Sequence, residues 1–399
     1  MSRLRRTRRT TLTLIALLVL VGLAATIASA AILARVRAPA AKLIMAGIPE
    51  KVIALPPARL AQVKDGKQVA NIQQLQQNYF VRNNVPFIRG APGEEFELIS
   101  LEKMAYNPTQ TEITRATRVL PKILSHMAYI NGGTLLAIPQ VVDHRPDQTS
   151  VKNQNNRGTC VCFASMAGLE VAYGGGSLDL SEQFANYLYM TAESRGCKDA
   201  GLKTTDSANY LANDGVCVET ICPYQNDKYN FPSYCNNAAP AAPPMRVEAV
   251  SKRPYKIKSY QKIWRNDSLT TDTGIWINNP RYLESLLRAG HDIVFGTHVA
   301  GWITPYTGTI DVKLTGGGNP LPSVGGHAML VVGYDRNQEY FIVKNSWGTS
   351  KGQAGYVYLS YDYIRTYAKY GYVITDVEPI LLTMIRPMLR AVPMIRPSR

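Results

Sequence analysis

A glutamine six residues ahead of a cysteine, with a glycine between them and a helix opening at the cysteine, constrains this chain more than any bulk property. The run is Val151-Lys152-Asn153-Gln154-Asn155-Asn156-Arg157-Gly158-Thr159-Cys160-Val161-Cys162-Phe163-Ala164-Ser165. The Asn and Gly residues make a loop, and the pattern through Met166, Ala167, Glu170 and Tyr173 continues a helix until Gly174-Gly175-Gly176 stops it. A helix N-terminus carries unpaired N–H groups and positive partial charge, which favour a thiolate in its first turn. The Gln154 amide reaches back beside the Cys160 N–H, so the two donors meet the negative oxygen of a tetrahedral intermediate. Cys162 is turned by about 200° to another helix face. It reads as a small buried hydrophobe and Cys160 as the nucleophile.

A nucleophilic thiol needs a base, and the chain has five histidines. His327 lies in Ser323-Val324-Gly325-Gly326-His327-Ala328-Met329-Leu330-Val331-Val332-Gly333-Tyr334, a glycine turn entering an apolar strand with the His at its first residue. The sheet fixes such a side chain while the cleft stays open to it, and glycine lets a substrate backbone approach. Downstream, Tyr340-Phe341-Ile342-Val343-Lys344 is a second strand, followed by Asn345-Ser346-Trp347-Gly348. The Asn345 oxygen accepts from one imidazole nitrogen and leaves the other facing Cys160, while Trp347 shields that hydrogen bond from water. His126, His144, His291 and His298 have no comparable setting and are read as structural.

These three runs, in the order Cys, His, Asn, resemble the papain and cathepsin family of cysteine peptidases in a divergent, bacterial-type form. The resemblance implies an α+β fold of two lobes, a helical lobe against a twisted, barrel-like antiparallel sheet, with the cleft between them. It implies peptide hydrolysis through an acyl-enzyme, with Cys160, His327, Asn345 and Gln154 catalytic and Gly201, Gly326 and Trp347 binding substrate, and with no cofactor or metal. Leu180-Ser181-Glu182-Gln183 matches a helix start of the family, with Ser181 as N-cap. Lys256 to Tyr260 resembles the strand opening its second half. Arg157 stands where the family usually has a disulfide cysteine, and Val161 where an aromatic residue follows the nucleophile. A transpeptidase or peptide ligase on the same triad, and a non-catalytic binding module on the same fold, are the alternatives.

The rest of the chain sets the context. Arg3, Arg5, Arg6, Arg8 and Arg9 precede an uncharged run from Thr10 to Ala34, the layout of a secretory signal and long enough to span a bilayer. A cleaved signal and a retained anchor both fit, and either exports the bulk of the chain, attached to the membrane in the second case. The expected map is therefore 1–34 signal or anchor, 35–137 pro-segment or N-terminal extension, 138–377 peptidase domain and 378–399 a basic, apolar tail. Five of the +15 formal charges belong to the leader, and no nucleic-acid motif accompanies the remainder, so peptides or proteins are the expected partners and nucleic acid is not. Export permits disulfides, and Cys197, Cys217, Cys222 and Cys235 allow three two-bridge connectivities.

Overall fold

The structure is a computed structural model that describes residues 77–82, 85–104, 108, 110–111, 139–192, 202–225, 252–269, 272, 274–303, 306, 308–314 and 319–380. The leader, the greater part of the expected pro-segment, His126, Cys197, Gly201, Cys235 and the tail beyond residue 380 lie outside the described residues.

The first described elements form a small antiparallel sheet of β1 (Tyr79–Arg82), β2 (Val85–Arg89) and β3 (Glu95–Glu97), followed by the single helical turn α1 (Leu101–Met104). The residue spacing from Asn71 to Phe80 predicts a helix, and the structure does not keep it at its end. Tyr79 and Phe80 pair as strand residues with Ile88 and Phe87, and the Phe80 and Phe87 rings stack at 5.1 Å. Cross-strand aromatic packing outweighs the local spacing there.

The main body runs through β4 (Val141–Asp143), α2 (Cys160–Ala172), α3 (Glu182–Ala192), α4 (Thr204–Asn213), β5 (Ile257–Trp264) and α5 (Pro280–Arg288). It continues through β6 (Ile293–Val299), β7 (Thr309–Ile310), β8 (Gly325–Asp335), β9 (Tyr340–Lys344), β10 (Tyr356–Ser360), α6 (Tyr361–Tyr367) and β11 (Ala368–Val377). The sheet order is β5-β11-β6-β8-β9-β10-β7, with β4 also on β8. Its pairs are antiparallel except β10 with β7. This is the expected α+β architecture.

The central strand β8 explains why its sequence reads as one unbroken apolar run. Alternate side chains leave a strand on opposite faces. Met329 and Val331 join a core with Leu283 and Leu286 of α5 and Ile364 of α6. Ala328, Leu330 and Val332 join another with Leu169 of α2 and Leu211 of α4. Both faces are buried, so neither demands polar residues. Ser181 caps α3 as expected, accepting from Phe184 N at 2.9 Å, and α2 ends at three glycines with positive φ.

Arg157 takes over the mechanical task of the missing bridge. Its side chain is wholly buried, donates to Gln183 Oε1 at 2.8 Å and to Gln225 O at 2.6 Å, and lies 4.7 Å from the centre of the Tyr224 ring. The guanidinium thus joins the loop before Cys160 to α3 and to the 222–225 loop. Arg157→Ala leaves two acceptors, one of them on buried Gln183, without this charged donor and is expected to lower unfolding free energy by about 3 kcal/mol, read from urea melts. The two-bridge schemes are not formed: each uses Cys217, and Cys217 is a buried free thiol.

Candidate active site

Two ladder geometries and one helix end bring together residues that lie far apart in the chain. Cys160 is the first residue of α2. His327 is the third residue of β8, two positions further into the strand than the sequence pattern suggests, because Gly325 and Gly326 already pair with Val299 and His298. Asn345 follows directly on β9, where its N–H donates to Gly355 O at 3.0 Å.

His327 Nε2 and Asn345 Oδ1 are 2.7 Å apart. An amide oxygen only accepts, so Nε2 carries the hydrogen and Nδ1 keeps its lone pair. Asn345 cannot turn over, because its Nδ2 donates to Tyr306 OH at 2.7 Å while its Oδ1 also accepts from Ser346 N at 2.8 Å. The Trp347 ring stacks on the imidazole at 4.6 Å, and Trp302 meets it edge-on at 6.2 Å. Trp347 therefore has the covering position expected of it. Trp302 and Tyr306 were not singled out in the sequence; they lie in a loop with no motif, and only their packing reveals them.

Gln154 is anchored on three sides. Its N–H donates to Ser346 O at 2.8 Å, its Oε1 accepts from Ser346 Oγ at 2.6 Å, and its Nε2 donates to Arg157 O at 2.8 Å. A primary amide has two hydrogens, so one remains for an oxyanion. Behind this loop, Lys152 Nζ binds Glu170 Oε1 at 2.9 Å, Glu182 Oε1 at 2.7 Å and Leu180 O at 3.1 Å. Burial opposes its charge, but Glu182 and Glu170 more than offset this and hold Lys152 well above its usual range. This buried cluster fixes the Gln154 loop against α2 and α3.

The site is covered by the chain's own N-terminal segment. Ile99 and Gly326 exchange both backbone hydrogen bonds, each at 2.7 Å. Phe96 stacks on Trp347 at 4.6 Å, Glu94 forms an ion pair with Lys351, and Met104 is fully buried in the core cluster that holds Cys160. Cys160 and His327 are left with no exposed surface. Burial pushes the Cys160 thiol up to about 12, the carboxylate of Glu97 adding to the effect against the backbone N–H of Ala328. Burial also takes the His327 imidazole down to about 4. Both groups are neutral near pH 7 in this arrangement, and among the described residues Nδ1 has no hydrogen-bond partner.

A helix-borne thiol, an imidazole oriented by an amide and a covered cleft are the features of this candidate site. The family described as "Papain family cysteine protease" matches residues 138–372, and the chain belongs to that family. It is 32% identical to chymopapain of Carica papaya over 228 residues, 55% of this chain and 54% of that one. To ananain of Ananas comosus it is 27% identical over 253 residues, 61% and 62% of the two chains. The chain thus spans about half the length of the curated relatives it matches. Xylellain, a cysteine protease from Xylella fastidiosa, has a crystal structure similar at 24% identity and a TM-score of 0.49, covering 71% of this chain and 95% of that one.

Proposed function

We propose that this chain is an exported cysteine endopeptidase that is latent until residues N-terminal to its catalytic domain are removed. The observation that carries the reading is the 2.7 Å bond from His327 Nε2 to Asn345 Oδ1, which leaves Nδ1 free to take a proton from a thiol at the start of α2.

Once the cleft is open, water returns and the shifts caused by burial relax. The Cys160 proton passes to His327 Nδ1, and the thiolate attacks the peptide carbonyl. The carbonyl oxygen becomes an anion beside the Cys160 N–H and the Gln154 amide. His327 then donates its proton to the departing amine, leaving a thioester on Cys160, and a water activated by the same imidazole releases the acid and restores the thiol. Gly326, whose N–H and C=O are occupied by Ile99, is the backbone position a substrate chain takes after the segment leaves. Gly201 is proposed as a second such position. Residues 1–34 would direct export.

The test is a peptide-library digest by acid-treated protein, with and without a thiol-directed epoxide. Epoxide-sensitive cleavage supports the reading, and products that persist at full inhibition of the thiol refute it. Two variants separate the roles. Asn345→Ala removes the group that aims His327 and is expected to lower kcat roughly ten- to a few hundred-fold, less than His327→Ala, since general acid–base work contributes about 10²–10⁴-fold. Gln154→Ala acts on the oxyanion and is expected to lower turnover while leaving the rate of iodoacetamide alkylation of the opened site nearly unchanged. Equal losses in both would remove Gln154 from the oxyanion site.

A further inference from the structure

Met104 occupies a pocket whose shape depends on what two glycines lack. A Cβ on Gly326 would lie 2.7 Å from Met104 Cγ and closer still to its Sδ, so the thioether sits in space that any other residue at 326 would fill. At the far end, Tyr370 OH of β11 is 3.1 Å from Met104 Sδ. The Tyr370 ring reaches there across Gly296 of β6, where a Cβ would lie 2.5 Å from the ring and 2.9 Å from Thr204 Oγ1. Tyr370 is buried, as is Ala328, which follows the catalytic His327; both share with Met104 the cluster that contains Cys160.

We infer that this pocket takes a substrate side chain, that it selects an unbranched thioether, and that Tyr370 is the residue that reads the sulfur. The inference rests on the peptidase reading above and names the substrate class for it. Three features of the pocket support the choice. Met104 Cγ, Sδ and Cε all lie within 2.9 Å of where a Cβ on Gly326 would be, so a straight side chain runs along the space that this glycine leaves. Met104 belongs to a buried apolar cluster that also holds Ile99 and Ala328. The Tyr370 hydroxyl donates to the sulfur, a weak acceptor, and a hydrocarbon of equal length offers that hydroxyl nothing. The chain's own Met104 fills the pocket as a substrate side chain would, which makes the latent state a stand-in for the bound one.

The experiment uses acid-processed full-length protein and matched fluorogenic peptides that carry Met, norleucine or Ile at the position a library digest identifies as selective. Epoxide labelling of Cys160 is followed in parallel. Met is expected to exceed norleucine in kcat/KM by about two- to sixfold, and Ile to fall at least about tenfold below Met. Tyr370→Phe should bring Met and norleucine together while Ile stays low. Equal rates for Met and norleucine in the wild type, or an unchanged ratio in Tyr370→Phe with cooperative thermal unfolding retained, would overturn the inference and leave the peptidase reading intact. If Tyr370→Phe does not fold, the wild-type ratio decides alone. Absence of both labelling and cleavage would bring down the peptidase reading and this inference with it.

Discussion

Replacing Cys160 with Ala is expected to lower peptide hydrolysis by at least about 10⁴-fold, while Cys162→Ala keeps most of it. In the proposed reaction the thiolate makes the covalent bond, and removing a nucleophile from a triad leaves only what binding and oxyanion stabilisation supply. Both cysteines are buried and two residues apart, so burial does not distinguish them. Geometry does. Cys160 is at the first position of α2, where the Ala328 and Val161 N–H groups and its own act to lower its pKa. Cys162 has turned toward α3, where its Sγ lies 3.8 Å from Asn186 Oδ1. Turnover and epoxide labelling of each variant, beside unfolding curves to check that the fold is kept, measure this directly. Activity that survived in Cys160→Ala and vanished in Cys162→Ala would reverse the assignment.

The second large effect is on the reactivity of Cys160 before and after the covering segment leaves. With the thiol at about 12, only about one molecule in 10⁴–10⁵ carries a thiolate near neutral pH, whereas an exposed thiol near its ordinary value carries several per cent. Iodoacetamide is therefore expected to react with the full-length chain at pH 7.5 at least about 10³-fold more slowly than with the processed one. Acid should drive the change. His327 titrates near 4 when covered and near its ordinary 6.5 when exposed. Between those values only the uncovered form takes the proton, so falling pH favours uncovering, by up to about 3 kcal/mol at pH 4.

Glu94 acts in the same direction. Its hydrogen bond to Lys351 holds its carboxyl below the usual range, so the tie it makes is present above its ordinary pKa and is lost as pH falls through the lowered one. Wild-type protein held near pH 5 should thus lose its N-terminal residues by cleavage near Ile138, and Cys160→Ala should stay full length. Mass spectra of the two after the same incubation decide the matter. Identical full-length masses would make residues 35–137 a permanent part of the protein.

Much of the candidate site was legible because it is encoded in short windows. The spacing of Gln154 and Cys160, the stop at Gly174-Gly175-Gly176, the apolar strand behind His327 and the turn at Asn345 each reflect local backbone geometry, which a few neighbouring residues dictate. The departure at Arg157 was visible too, but its consequence was not. A buried guanidinium that joins Gln183 and Gln225 depends on partners that no periodicity marks. The same holds for Tyr306, which clamps Asn345 from 39 residues away.

What the sequence determined by itself was the identity and order of the candidate site residues and the elements that bear them. The tertiary structure decided their state. Ile99 reaches Gly326 across more than half the chain, and Met104 meets Tyr370 over a separation of 266 residues. These contacts exclude water from Cys160 and His327 and keep both neutral. Charge in a cleft is set by what displaces solvent there, and such long-range packing leaves no pattern in any local stretch of sequence.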